Sequence, residues 1–243
     1  MFVNNQSNRH LRIGLLVLAT DQTIEQDFRN MLHSEEVEFY VSRVAYADYD
    51  SFENYRAMAK KLTEATALII PGNSLDVVAY GCTAATVEIG FEVISEHIRA
   101  VRPRISCATP ITGACKGFNR LGVRRISLLS PYREEVNQSI QRYLNSQGIS
   151  VVKIASFNID RDLEKARILP STIYDAAIQL DAENVEGIFI SCTALRATEA
   201  ITSIESQLGK PVISSNQALL WEALRLGGYN QEISGYGCLM QIV

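Results

Sequence analysis

A short apolar run, a turn and a helix occur twice in this chain, about 113 residues apart, and that repetition narrows the folds open to it. Arg12 to Ala19 (RIGLLVLA) is a β-rich run followed by Thr20-Asp21 and a helical pattern from Thr23 to Leu32. Arg125 to Ser130 (RISLLS) is followed by Pro131-Tyr132 and a helical pattern through Leu144. Second strands come next, Glu38 to Val44 (EFYVSRV) and Ser150 to Ala155 (SVVKIA), in the same register, with Phe39 against Val152. Helices over Glu53 to Ala65 and Ser171 to Leu180 lead to third strands at Asp76 to Tyr80 (DVVAY) and Gly187 to Ser191 (GIFIS). Both third strands run into a Cys-Thr pair, Cys82-Thr83 and Cys192-Thr193, about 110 residues apart. Each pair leads to another helix, closed by Arg102-Pro103 or Gly209-Lys210-Pro211. A fourth strand (Arg104 to Ala108, Val212 to Ser215) and a last helix, ending at Leu121-Gly122 or Leu226-Gly227, complete each copy.

Strands alternating with helices at this spacing build βαβ units, hence parallel sheets with right-handed crossovers and helices on both faces. The expected fold is α/β, with two similar four-stranded parallel-sheet halves related by pseudo-twofold symmetry. The halves are residues 11–120 and 121–230, and they are free to exchange a C-terminal element. A chain of 243 residues is long enough for two such cores. The apolar share of 47% and charged share of 21% place it with globular proteins rather than disordered ones. Its net charge of −4 comes from acids and bases dispersed along the chain, without the basic block a nucleic-acid partner requires. No apolar run reaches the roughly 18 to 20 residues that cross a bilayer. Met1 to His10 is polar, so the expectation is a cytoplasmic protein with no membrane partner. The apolar tail from Ile233 to Val243 is expected to dock on its own domain or on a neighbour.

The five cysteines (82, 107, 115, 192, 238) lack the spacing of a disulfide framework. With three histidines and no Cys-x-x-Cys or His-x-x-x-His, no metal site is expected. No glycine-rich nucleotide or phosphate loop follows any strand, so a nicotinamide or phosphate-dependent enzyme has no support. Cys107 in a strand, Cys115 in a helix and Cys238 in the tail have no counterpart in the other copy and read as structural.

Ligands of open parallel sheets bind beyond the carboxyl ends of the strands, where both Cys-Thr pairs fall. A thiol at a helix N-terminus meets unpaired N–H groups and the positive end of the helix dipole. Both cysteines are therefore expected to ionise below their ordinary value of about 8.5. The N–H groups of Thr83, Ala84, Thr193 and Ala194 make a carboxylate cradle. Two thiols on opposite faces of one substrate supply a base and an acid, or a nucleophile and an acid, as a racemase or isomerase requires. The rival reading is a non-catalytic protein binding a small carboxylate in the same cleft. Tyr132, after the first strand of the second copy, offers a phenol either to a substrate carboxylate or to the packing of its loop. Asp21, at the equivalent first-copy position, either contacts substrate or caps the helix beginning near Thr23.

In LATDQTIEQDF (18–28), LDVVAYGCTAATVEIG (75–90), SPY (130–132), FISCTALRATEAI (189–201) and GKPVISSNQALLWEALRLGG (209–228) the chain resembles the aspartate/glutamate racemase superfamily. The resemblance spans residues 11 to 229. It lies in the branch of maleate cis-trans isomerase, arylmalonate decarboxylase and the ectoine-utilisation protein, closest to the last. It implies two racemase-type halves facing a buried site, Cys82 and Cys192 as catalytic residues, no cofactor, and a homo-oligomer. It also implies a small carboxylate or amino-acid derivative as substrate, with a place in ectoine degradation. Maleate isomerases carry an asparagine where this chain has Asp21, and an acid there repels a dicarboxylate. The departure points to a substrate with an amino or other donor group near Asp21. The family places a second substrate-contacting asparagine in the loop matching Phe157 to Asp162, at Asn158 or Asp162. Arylmalonate decarboxylases retain only the second-half cysteine, so the presence of both favours isomerisation over decarboxylation.

Overall fold

The computed structural model describes residues 10–243, so residues 1–9 of the polar N-terminal stretch lie outside the described residues. The first half runs β1 (Leu11–Leu18), α1 (Ile24–Met31), β2 (Val37–Val44), α2 (Phe52–Ala67), β3 (Val77–Gly81), α3 (Thr83–Ile89), α4 (Phe91–Arg99), β4 (Ser106–Ala108) and α5 (Pro110–Arg120). The second runs β5 (Arg125–Ser130), α6 (Glu134–Ser146), β6 (Ser150–Ser156), α7 (Asp162–Lys165), α8 (Pro170–Gln179), β7 (Gly187–Ile190), α9 (Ile201–Leu208), β8 (Val212–Ser214) and α10 (Ser215–Leu226). The two four-stranded sheets have the same order, β2-β1-β3-β4 and β6-β5-β7-β8, and every pairing is parallel. The α/β fold of two similar parallel-sheet halves expected from the repeat is the fold observed.

Burial explains why the repeat was so visible. β1 and β3 are covered on both faces, and β5 is too apart from Arg125, so these strands read as continuous apolar runs. Helices against them show one apolar face; α1 buries Ile24, Phe28 and Met31 and leaves Glu25, Gln26 and Arg29 outside. The last helix of each half begins with the same device, a capping box from Thr109 with Thr112 and from Ser214 with Gln217.

Those two last helices interlock. Phe118 of α5 lies edge-on to Phe189 of β7, with ring centroids 6.2 Å apart. Gly117 of α5 faces Ile213 of β8, whereas Leu219 of α10 faces Gly81 of β3. Each helix thus reaches strands of the other sheet. Glu222 of α10, buried, accepts from the Thr109 N–H (3.2 Å) and the Thr112 hydroxyl (2.5 Å) and pairs with Lys116 (2.6 Å). At the crossing, a methyl group on Gly113 would stand 2.3 Å from the backbone oxygen of Ala218, which no side-chain rotation can relieve. Gly113→Ala is expected to cost about 1–3 kcal/mol. For a chain of this size that lowers the melting temperature by about 2–4 °C per kcal/mol. An unchanged melting curve would contradict this packing.

The C-terminal tail docks on its own chain: Leu239 and Met240 are fully buried, and the Trp221 indole donates to the Ile242 carbonyl at 2.9 Å. One local expectation fails. A helix does follow Cys82 directly, but residues 193–200 form turns, and α9 begins only at Ile201. The carbonyls that would start a helix are taken elsewhere. The Thr193 oxygen accepts from Asn216 Nδ2 (2.9 Å), and the Ala194 oxygen accepts from the Thr23 hydroxyl (2.9 Å). Thr193 and Ala194 are therefore in a turn and not at a helix N-terminus.

Candidate active site

The loops beyond the carboxyl ends of the strands of both sheets meet, and the two Cys-Thr pairs are buried at the meeting point. Cys82 is the N-cap of α3, with the Ala85 N–H directed at its sulfur. Cys192 follows β7 with φ of +144°, a conformation side chains rarely adopt and one that costs roughly 1–3 kcal/mol. Its N–H donates to Ser215 Oγ at 2.9 Å, and the same oxygen shares a 2.8 Å hydrogen bond with the Thr83 hydroxyl. Ser215, the first residue of α10, thereby ties the two Cys-Thr pairs together. The Thr193 hydroxyl crosses in the other direction and donates to the Gly81 carbonyl at 3.3 Å.

Ser215→Ala removes the acceptor from a buried N–H that holds a strained residue. The expected cost is about 1–3 kcal/mol in stability, with a roughly 10- to 100-fold fall in turnover from misplacement of Cys192. Turnover at wild-type level in Ser215→Ala would show that the bridge does not position the thiols.

A charged cluster lies beside the thiols. Lys165, 1% exposed, sits in α7 and donates to Asp50 Oδ2 at 2.7 Å and Asp162 Oδ1 at 3.1 Å. Its ammonium group stands 5.3 Å from the centre of the buried Tyr132 ring, and the Tyr132 hydroxyl is directed at the Cys192 thiol. The other oxygens are engaged as well. Asp162 Oδ2 accepts from the Thr20 hydroxyl (2.6 Å) and Asp50 Oδ1 from the Tyr46 hydroxyl (2.8 Å), while the Asp162 N–H donates to Asp48 Oδ1 (2.9 Å). The segment around α7, from the second half, is in this way clasped onto loops of the first.

Asp21 is buried at the exit of β1. Its Oδ1 accepts from the N–H groups of Thr23 (2.8 Å) and Ile24 (3.0 Å), which is the helix-capping role. Its Oδ2 is buried without a hydrogen bond among the described residues, next to Thr193 of the Cys192 turn. Asn158 does not reach this region. It is exposed in a left-handed conformation (φ +56°), its N–H bonded to Ser156 Oγ, and Asp162 is the residue of that loop brought to the thiols. Ala84 is buried in the first turn of α3, after Thr83.

Burial reverses the expected titration of the cysteines. It pushes Cys82 well above its ordinary value, with only the Ala85 N–H opposing, and Asp162, Cys192 and Asp50 push the same way. It pushes Cys192 up to about 12, although Lys165 and the Tyr132 hydroxyl pull downward. Desolvation outweighs the α3 N-terminus at Cys82 and the Lys165 charge and Tyr132 hydroxyl at Cys192, so both residues rest as thiols. Burial also raises Asp21 and Asp50. For Lys165 burial works toward neutrality, but Cys192, Asp50 and Asp162 together outweigh it and the amine is held in its charged form.

Sequence reasoning missed Ser215, Asp50 and Lys165. Ser215 stood inside a quoted motif, SSNQALLW, but a serine at a strand end reads as a cap. Lys165 lies in RDLEK, which has the look of a solvated turn, and a fully buried lysine is rare unless paired.

The sequence profile of the arylmalonate decarboxylase family matches residues 43–240. Maleate isomerase of Geobacillus stearothermophilus is 25% identical over 250 residues, spanning 96% of this chain and 98% of that protein. Arylmalonate decarboxylase of Bordetella bronchiseptica is 33% identical over 138 residues, 56% of this chain and 58% of that one. The solved structure of a mutant Nocardia farcinica maleate cis-trans isomerase with a covalently bound succinylcysteine intermediate superimposes with a TM-score of 0.87. It covers 95% of this chain and 98% of its own, at 20% identity. With the profile spanning most of its length and two parallel sheets of matching order framing paired cysteines, this chain belongs to the arylmalonate decarboxylase family.

Proposed function

We propose that the protein is a cofactor-independent isomerase of a small carboxylate, with Cys82 and Cys192 acting on opposite faces of the substrate. The observation that carries this reading is the Ser215 bridge, which draws two Cys-Thr pairs from equivalent strand ends into one buried site. The maleate isomerase relatives, matched over nearly their whole length, support the same reaction class.

In this mechanism the N–H groups of Thr83, Ala84, Thr193 and Ala194 hold the substrate carboxylate. Cys192 takes the base or nucleophile role, because a thiolate there gains the Lys165 charge and the Tyr132 hydrogen bond. Cys82, facing Asp162 and Asp50, keeps its proton and donates it. For racemisation, Cys192 removes the proton next to the carboxylate and Cys82 delivers its own to the opposite face. For cis-trans isomerisation, the Cys192 sulfur adds to one alkene carbon while Cys82 protonates the other. The new single bond rotates, and the reverse steps restore the alkene and the thiolate. Both routes begin once the Cys192 thiol has given its proton to solvent, and from that thiolate they conserve atoms and electrons with Cys82 as the acid. Residues 189–228, by their likeness to ectoine-utilisation proteins, favour an amino-acid derivative of compatible-solute breakdown as substrate, handled by a cytoplasmic homo-oligomer.

The family profile favours one second reading, decarboxylation of an arylmalonate-type diacid, which needs a single thiol. Incubation with maleate, aspartate, glutamate, N-acetylated diaminobutyrates and phenylmalonate, followed by proton NMR and chiral chromatography, separates the two. The expected result is interconversion of isomers with no release of carbon dioxide. Carbon dioxide from phenylmalonate would establish the second reading, and no conversion of any compound would contradict both in favour of a binding protein.

A further inference from the structure

We propose that Asp27 is a positioning residue: through the side chain of Asn216 it fixes the peptide plane between Thr193 and Ala194, and so aims the Ala194 N–H at the substrate carboxylate. The inference rests on the isomerase reading only in taking these N–H groups as the carboxylate cradle beside Cys192. Its own support is a line of hydrogen bonds that runs from α1, through the start of α10, to the Cys192 turn.

The buried face of α1 is apolar at Ile24, Phe28 and Met31, and Asp27, 3% exposed, stands among them. A carboxyl group there carries a desolvation cost that an alkyl side chain would not, so it calls for a partner. Burial raises it to about 7; Asn216 is the first of the groups pulling it back, followed by the Thr198 hydroxyl, while Asp21 and Glu199 push with burial. Asp27 Oδ2 accepts from Asn216 Nδ2 at 2.7 Å, and the same amide nitrogen donates to the Thr193 carbonyl at 2.9 Å. Asn216 is itself buried, and its Oδ1 has no partner among the described residues. Its two acceptors therefore set the orientation of the amide. Turned over, Asn216 would hold an oxygen against the Thr193 carbonyl, which can only accept. With a proton on Oδ1 of Asp27, Oδ2 still accepts, so Asp27 holds the amide in either of its protonation states.

No peptide bond among the described residues is cis, so the Thr193 carbonyl and the Ala194 N–H point in opposite directions from one plane. Drawing the carbonyl to Asn216 turns the Ala194 N–H away from it. The Thr23 hydroxyl, also from the α1 end of the first half, holds the next carbonyl, that of Ala194, at 2.9 Å. Among the described residues neither the Thr193 nor the Ala194 N–H donates to a protein acceptor, which leaves both for a ligand. The α1 side of the first half thus decides where two N–H groups of the second half face.

The test measures how strongly the Cys192 thiol prefers iodoacetate over iodoacetamide. With either reagent the Cys192 sulfur bonds to the CH2 carbon, iodide leaves and the thiol proton passes to solvent. The reagents differ only in carrying a carboxylate or a neutral amide. Thiolate fraction, depth of burial and any loosening of the fold act on both alike, so the ratio of their rates, taken relative to free cysteine, reads the carboxylate cradle. Peptide mass spectrometry follows labelling at Cys192 in wild type, Asp27→Leu, Asp27→Asn, Asn216→Ala and the Asp27→Leu/Asn216→Ala double variant, with melting curves to verify the fold. Wild type is expected to favour iodoacetate roughly tenfold or more, the scale of a hydrogen bond to a charged group. Asp27→Leu and Asn216→Ala are each expected to lower that preference roughly fivefold or more, and the double variant no further, because the two side chains act in series. Asp27→Asn keeps a carbonyl acceptor for Asn216 and is expected to stay within about twofold of wild type. Loss of a negative charge would by itself raise the preference for iodoacetate, so a fall does not come from charge removal. If Asp27→Leu does not fold, Asn216→Ala and Asp27→Asn carry the test. The proposal is overturned by a wild type that does not favour iodoacetate or is not labelled at Cys192, or by an undiminished preference in Asp27→Leu or Asn216→Ala. A fall in Asp27→Asn as large as that in Asn216→Ala overturns it too. The assay needs no turnover, so a wild type that shows this preference but interconverts no carboxylate sinks the isomerase reading alone. One that isomerises, with an unaltered ratio in the variants, sinks the role of Asp27 alone.

Discussion

Cys82→Ser and Cys192→Ser each lower turnover by roughly 10²- to 10⁴-fold, the contribution of a positioned acid or base, while leaving the fold intact. Serine keeps the shape of each site, the N-cap position of α3 and the Cys192 N–H bond to Ser215. A hydroxyl, however, is a far weaker acid and nucleophile than a thiol. Steady-state kinetics and melting curves together read this result. The two losses are expected not to multiply in the double variant, because one thiol cannot complete the exchange without the other. Two single variants that each kept near-wild-type turnover would remove the paired-thiol mechanism.

Lys165→Met is the largest expected stability effect. The ammonium group is fully buried, and its removal leaves Asp50 and Asp162 facing each other without a cation. Breaking a buried pair from one side costs about 3–5 kcal/mol, measured by urea unfolding. The clasp of the α7 segment on the first half should loosen at the same time, since Asp162 also holds Thr20 and Asp48. Adding Asp162→Asn and Asp50→Asn to Lys165→Met removes the unpaired charges and is expected to restore a good part of the stability. If Lys165→Met were as stable as wild type, the cluster would not be the tie between the halves.

Much of this fold could be read from the chain because parallel strands buried on both faces leave an unambiguous signature. RIGLLVLA and RISLLS mark β1 and β5 to within a residue, and the other three strands of each sheet follow at equivalent spacing. The Cys-Thr pairs were legible for the same reason, as each follows a short, fully buried strand. Three features were not legible, each because it depends on contacts between halves. The turn at 193–200 replaces a helix start because Thr23 and Asn216 capture its carbonyls from elsewhere in the chain. Lys165 and Asp50 are 115 positions apart, and nothing local announces that a polar segment closes over a buried site. The direction of the thiol titrations was misjudged because a Cys-Thr pair at a strand end is visible in a sequence, whereas the depth of burial that raises both thiols, and the lack of a helix start after Cys192, are not. Asp21 shows both sides of this limit. Its capping role follows from its place before Thr23, but the burial of its other oxygen beside Thr193 is apparent only once the second half is folded against it.

The central claim is that one thiol from each half acts on a single substrate, and proton NMR in deuterated water tests it most directly. With whichever carboxylate the enzyme interconverts, wild type is expected to place deuterium on the carbon that the thiols address, while Cys82→Ser and Cys192→Ser each leave that carbon unlabelled over the same interval. Labelling at the wild-type rate in either single variant would contradict the account, because it would mean that the reaction needs only one of the two cysteines.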